Sequence, residues 1–491
     1  MLFNTVDFII FFIVVITTIE IVKNRKFQHL FLLAASYFFF YYTSNYLIVL
    51  LIFTTIWDFY FGNIIYKTKD TKIKKLIFIV SLAGNLGLLG FFKYTDFVIT
   101  QFNILGQSLD LGTQIPLLHL ALPIAISFYT FHSLTYTIGI YRGQIQPVKS
   151  LTEYAIFVAF FPQIVAGPIL RAHEFLPQLR EKIENSGTVQ FIRQIIVQNT
   201  NLKFGITMMA FGFLKKMFFA DNIAPMVNEI FIAPQGLESF TILLGSVAFG
   251  IQVYCDFSGY SDIAIGAALI LGFKIPPNFN KPFFATSPSE FWRRWHISLS
   301  SWVRDYLFLP IVYRKIGSDF RLFFGLLFTF FLLGLWHGAG WNFILFGLLH
   351  GIYVAVETMI RKKFPVVAEH RFFKSKIGKI LSILGTQYLV FLTWIAFRVQ
   401  DTNDMIYSMS KYVMLDFHII PFKDFIFTHK FPIMLMMIFV VLHFISYRKG
   451  NIIQKISNYN MKYWILVIFI TVSAILFLYN SRPQDFIYFK F

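Results

Sequence analysis

The stretch Leu322–Val356, LFFGLLFTFFLLGLWHGAGWNFILFGLLHGIYVAV, holds no Asp, Glu, Lys or Arg. As one helix its roughly 35 residues would run about 50 Å, against about 30 Å of bilayer hydrocarbon. A single straight span therefore does not fit. The sequence supplies a break at Trp336-His337-Gly338-Ala339-Gly340. A titratable side chain beside a glycine break inside a membrane is by default a candidate functional group.

The rest of the chain agrees with a membrane setting. Of 491 residues, 57% are hydrophobic and only 14% charged, where soluble domains average about 25% charged. Aromatic residues reach 20%, with 64 Phe, which suits lipid-facing surface and interfacial belts. The formal charge of +18 is read as cytoplasmic loops obeying the positive-inside rule. No basic segment is long enough for a soluble nucleic-acid-binding domain, so nucleic acid is excluded as a partner. The single cysteine, Cys255, excludes an intrachain disulfide and any cysteine metal cluster.

The N-terminal segment reads as a membrane span and not a cleavable signal. It lacks a basic n-region, carries Asp7, and has no small-residue cleavage site before Lys23-Asn24-Arg25-Lys26. The positive charge after it places the N-terminus outside and the Lys23–Lys26 loop inside. Two spans later, Lys67, Lys69, Lys72, Lys74 and Lys75 return to the inside. Candidate spans are 5–22, 28–43, 45–65, 76–92, 117–139, 152–167, 203–221, 238–254, 257–273, 322–336, 341–360, 378–397, 431–447 and 461–479. Those at 152–167, 257–273 and around 341 are short enough to be re-entrant or tilted. The expectation is an all-α polytopic protein with about 11 transmembrane helices. It forms a single integral membrane domain over 1–491, with no separate soluble domain and no visible internal repeat. The longest polar connections are 171–202, 276–320 and 361–377.

Five features carry candidate chemistry. His337 has glycines at 334, 338 and 340 around it, which leave space for a backbone or ligand. A buried neutral imidazole can take a proton from an attacking hydroxyl; the alternative is a core histidine satisfied by a neighbouring carbonyl or hydroxyl. Ser287-Pro288-Ser289-Glu290 is a helix-start signature. The helix after it mixes Trp292, Trp295 and Trp302 with Arg293, Arg294 and Arg304, and carries His296. Such a helix lies at the membrane boundary or dips into it, so His296 either anchors at the interface or shares a cavity with His337. Tyr254-Cys255-Asp256-Phe257-Ser258-Gly259-Tyr260-Ser261-Asp262 puts two carboxylates in an apolar region. Their expected role is scaffolding, as partners for Arg293, Arg294 or Arg304, with a metal or proton site as the alternative. Two polar islands follow the same logic: Ser127–Ser133 and Pro162–Pro168, the latter suited to a broken or re-entrant helix that is buried in protein or lines a cavity.

The other histidines are weaker candidates. His350 would lie about 220° from His337 on a continuous helix. His29, His119, His370, His418, His429 and His443 sit near span ends. There is no HExxH, P-loop, GxSxG or Cys/His metal spacing.

These segments together resemble the membrane-bound O-acyltransferase (MBOAT) family, and most closely its bacterial alginate O-acetyltransferase-like branch. The matching pieces are SFYTFHSLTYTIGIYRG (127–143), FFPQIVAGPILRA (160–172), YCDFSGYSDIAIGAALILGF (254–273), PPNFNKPF with EFWRRWHISLSSWVRDYLFLPI (276–311), and LGLWHGAGWNFILFGLLHG (333–351). They form a motif-bearing core over about 127–351, followed by C-terminal spans over about 378–491. FRVQDTNDMIYSM and the closing FIYFKF also look like this branch. Gly139 departs from it, since relatives often carry an acidic or polar residue there.

The resemblance implies a helical bundle with re-entrant segments around a central tunnel that crosses the membrane. It implies His337 as catalytic histidine and His296 as the second active-site polar residue. Trp336, Asn342, Trp292, Arg293, Trp295, Asp256, Tyr260 and Ser261 are expected to line the substrate path. It implies acetyl transfer, with no bound cofactor or metal, from a cytoplasmic thioester co-substrate, acetyl-CoA or an acyl carrier protein. The acceptor would be a cell-surface or secreted polysaccharide, alginate-like or peptidoglycan. An inner-membrane location and a periplasmic or membrane-anchored acetyltransferase partner follow from the same resemblance, with membrane lipids as surroundings. D-alanyl transfer to teichoic acid from a carrier protein is the nearest alternative. A proton-coupled transporter using His337 and His296, or an inert scaffold, are the alternatives from other classes.

Overall fold

The computed structural model describes residues 1–112, 114–165, 167–182, 190–313, 318–416, 419–479 and 485–487. Ala166, His418 and residues 488–491 of the closing motif lie outside them. The chain is helical almost throughout, and among the described residues seven helical segments are long and apolar enough to cross a membrane. Leu151–Ile164 and Met461–Phe477 are shorter apolar segments. Among the described residues the one β element is a short antiparallel pair, Arg180–Lys182 with Gln190–Ile192, in the polar connection after 171. The chain is thus an all-α, multi-pass membrane protein.

Its residues group into two compact units. The first comprises Met1–Met209 and Tyr260–Pro276. Here Arg25–Ser44 and Ile48–Lys67 are separated by a tight turn in which Asn45 has φ 47°. The expected interruption near Pro162 is present: Leu151–Ala159 ends at Phe160, and a single turn, Phe161–Ile164, follows. The second unit comprises Ala210–Gly259 and Pro277–Phe491. It contains both predicted catalytic histidines.

The spans expected at 238–254 and 257–273 are instead one helix, Ser239–Ile270. The polar run around Asp256 does not interrupt it, because the carboxylate is charge-paired within the fold. The span expected from 117 begins only at Ile126. The segment expected at 203–221 is helical from Asn199 to Phe213. It continues as a π-helical turn, Leu214–Ala220, into Asp221–Ile232.

The overlong apolar run resolves into an antiparallel hairpin, Asp319–His337 and Trp341–Lys363. Glycine decides how closely its arms meet. A Cβ on Gly334 would lie 2.3 Å from the Phe343 carbonyl oxygen, and one on Gly347 would lie 2.3 Å from that of Phe330. The arms therefore touch backbone to backbone, as small residues permit in membrane helix pairs. The turn at Gly338-Ala339-Gly340 has extended backbone, with φ −166° at Gly338 and −168° at Gly340.

Candidate active site

His337 is the last residue of its helix, 5% exposed, and is surrounded by aromatic rings. Ring centroids lie at 4.9 Å for Trp336, 5.2 Å for Phe397 and 5.5 Å for Phe346. Phe397 comes from the end of the helix Lys376–Arg398. The Asn342 amide donates to the Ala396 carbonyl at 3.2 Å, tying the hairpin turn to that helix end. The arrangement places an imidazole in an aromatic enclosure beside the glycine turn, where a Cβ on Gly338 would lie 2.1 Å from the Phe343 ring.

His296 is held differently from the sequence expectation. The Ser287 cap forms as predicted, its hydroxyl accepting the Glu290 N–H at 3.2 Å with Pro288 first in the helix. That helix, however, ends at Arg294, and a second begins at Ile297. His296 lies in the joint with left-handed backbone, φ 43°. Such a conformation costs energy for a non-glycine residue and persists only where the surroundings enforce it. Asn278 enforces it. Its carbonyl accepts the Ile297 N–H at 2.9 Å. Its side-chain oxygen meets His296 Nδ1 at 3.1 Å and accepts the Ser298 hydroxyl at 2.8 Å. His296 is fully buried, with Phe257 at 4.6 Å and Trp336 at 6.2 Å between centroids. Trp336 thus contacts both histidine rings, from an edge-on angle in each case.

Trp292 and Trp295 are buried in the same unit. Trp295 stacks on Phe291 and meets Trp394, which packs on Phe346 and Phe397. Arg293 is exposed, so it does not line this enclosure. Tyr260 and Ser261 belong to the first unit, where Tyr260 stacks on Phe3 and its hydroxyl donates to Asn4 at 3.4 Å. His350 and His337 share Phe346, whose ring contacts both imidazoles.

Asp256 is not a partner of the arginines named from sequence. Arg294 pairs with Glu290 and Arg304 with Asp305. Asp256 pairs with Lys216 at 2.6 Å, and Lys216 also meets Asp221 at 2.9 Å. All three are buried. A cavity beside them is lined by Asn228, Phe249, Gln252 and Arg398 as well, and Phe249 contacts Phe397 of the His337 enclosure. Lys216, Asp221, Asn278 and Phe397 were not among the residues expected from sequence. The Lys215-Lys216 pair inside an apolar segment was the available signal. Nothing in the sequence marks Asn278 as the clamp on His296. Among the described residues no group of three His, Cys, Asp or Glu side chains is placed to hold a metal.

The membrane-bound O-acyltransferase family model matches residues 128–387, more than half of the chain. This chain belongs to the membrane-bound O-acyltransferase family. It is 34% identical to a peptidoglycan O-acetyltransferase of Helicobacter pylori over 370 residues, 70% of this chain and 66% of that protein. It is 36% identical to a probable alginate O-acetylase of Azotobacter vinelandii over 326 residues, 66% of this chain and 60% of that protein. A teichoic acid D-alanyltransferase of Bacillus subtilis is 29% identical over 249 residues, 49% of this chain and 60% of that protein. The chain thus covers less than two thirds of the length of each of these relatives. Both expected histidines fall inside the family match.

Proposed function

We propose that this MBOAT-family chain is an O-acyltransferase that passes acetyl groups from a thioester donor to a hydroxyl destined for a cell-surface or secreted polysaccharide. The observation that supports the reading is the burial of His337 among Trp336, Phe346 and Phe397 at the glycine turn of the hairpin. In the proposed step a neutral His337 imidazole takes the proton of the acceptor hydroxyl. The freed oxygen attacks the thioester carbonyl, the C–S bond breaks, and the departing thiolate takes the proton back from the imidazolium. The aromatic walls exclude water, which would otherwise hydrolyse the thioester. His296 assists from the same unit by orienting the donor or the proton through the shared Trp336 contact.

The donor is a cytoplasmic thioester, acetyl-CoA or an acyl carrier protein, consumed as a co-substrate. The reading puts the protein in the inner membrane with its N-terminus outward. Arg361, Lys362 and Lys363 close the second hairpin arm, and Lys376 and Lys379 open the helix that ends beside His337. If these basic ends face inward, the His337 turn lies toward the outer face. A hydroxyl acceptor would approach from there, delivered with a periplasmic or membrane-anchored acetyltransferase partner. Acetyl is favoured over D-alanyl by the higher identity, over more of the chain, to relatives named for acetylation.

The test is mass analysis of ester-linked groups on surface polymers from cells carrying wild type or His337→Ala. Loss of acetyl esters with normal membrane accumulation supports the reading. Loss of alanyl esters instead would transfer it to the D-alanyl reaction.

A further inference from the structure

The buried charges around Asp256 do a task that the acyl-transfer step leaves unexplained. Each carboxylate oxygen of Asp256 has a different partner. Oδ1 faces the Lys216 ammonium at 2.6 Å, and Oδ2 accepts the backbone N–H of Ile487 at 2.8 Å. Ile487 and its neighbour Phe486 are themselves buried, at 6% and 0% exposed. Phe486 packs on Phe257 at 5.8 Å, and Phe257 is the ring that meets His296 at 4.6 Å. A segment more than 200 positions away in sequence is therefore fastened by one side chain to the face that supports His296.

Two further observations make this a built arrangement. Lys216 lies in the π-helical turn Leu214–Ala220, and such turns insert one residue to re-aim a side chain, often at functional sites. The turn packs closely on its neighbour: a Cβ on Gly259 would lie 2.7 Å from the Gly212 carbonyl and 3.1 Å from Lys216 N. A buried ion pair is also a poor source of net stability, because desolvation offsets the attraction. Its retention here calls for a structural task, and the Ile487 amide supplies one.

We propose that Asp256, charge-balanced by Lys216, is a positioning residue that seats the segment Phe486–Ile487 against Phe257 and thereby fixes His296 for catalysis. Asp256 touches neither donor nor acceptor. It acts through Phe486, Phe257 and His296, so its loss lowers turnover and leaves the apparent affinity for the thioester unchanged. The catalytic half of this proposal rests on the acyltransferase reading; the seating half does not.

The experiment uses the full chain, purified in detergent for amide hydrogen exchange and expressed in cells for surface acetyl content. Three variants are compared with wild type: Asp256→Ala, Ile487→Pro, and the double variant Lys216→Met with Asp256→Asn. The first removes the acceptor, the second removes the donor without touching the buried charges, and the third removes both charges but keeps an acceptor oxygen. Loss of one charge-assisted hydrogen bond speeds exchange of the 486–487 amides by at least about tenfold in Asp256→Ala. Acetyl content falls by a similar factor in Asp256→Ala and in Ile487→Pro. The double variant restores most of both. Unchanged exchange in Asp256→Ala overturns the seating. Faster exchange with wild-type acetylation overturns the positioning role, as does wild-type acetylation in Ile487→Pro. If Asp256→Ala fails to accumulate, Ile487→Pro alone decides. Retained acetylation in His337→Ala would instead overturn the acyltransferase reading and leave the exchange result to judge the seating by itself.

Discussion

His350 accepts the indole N–H of Trp292 at 3.2 Å through Nδ1. An indole nitrogen can only donate, so Nδ1 carries no proton and Nε2–H faces the Thr393 hydroxyl at 2.9 Å. One buried imidazole thus joins three elements: the Pro288–Arg294 helix, the second hairpin arm and the helix that carries Phe397. Trp292→Phe should leave Nδ1 buried without its donor and cost about 1–3 kcal/mol of stability. The expected readout is a lowered thermal midpoint of the detergent-purified chain. An unchanged midpoint would show that this bond contributes nothing.

The hairpin predicts a sharp contrast between two glycines of the same unit. Gly334→Ala forces a Cβ into the Phe343 carbonyl and should destabilise the chain by about 1–3 kcal/mol or prevent its accumulation. Gly385 has nothing within 4 Å of its would-be Cβ. Gly385→Ala should therefore be neutral, or stabilising by up to about 1 kcal/mol through helix propensity. Thermal unfolding of the two variants side by side checks the pair.

Asn278 predicts a functional effect without any direct chemistry. It supplies the bonds that hold His296 in left-handed backbone. Asn278→Ala leaves the backbone carbonyl but removes the side-chain oxygen shared by His296 and Ser298. Acetyl transfer should fall by about tenfold, the equivalent of one lost buried hydrogen bond at the site. His296→Gly would relieve the backbone constraint, yet it should not restore activity, because the imidazole is gone. Surface acetyl content, normalised to protein in the membrane, reports both.

What the sequence revealed followed physical necessity. A charge-free run too long for one span had to break, and glycines beside His337 marked the place. Ser287 and Pro288 announced their helix because capping is local chemistry. The errors came where a distant residue changes a local preference. Asp256 was read as an interruption between two spans, but Lys216, about 40 residues earlier, neutralises it, and the helix Ser239–Ile270 runs straight through. The segment around His296 was read as one helix, since nothing nearby breaks it; the break is imposed by Asn278. His29 and His443 do lie near helix ends as read, yet they are buried, His29 against the Arg193 carbonyl and His443 stacked on Phe284. In each case the deciding partner lies outside the helix concerned.

The proposed task of the His337 imidazole is the proton transfer of acyl transfer. It is tested most directly by quantifying ester-linked acetyl on surface polymers in cells producing His337→Ala at wild-type membrane levels. Acetyl esters should fall to the level of cells lacking the protein. Acetyl content equal to wild type in that variant would contradict it.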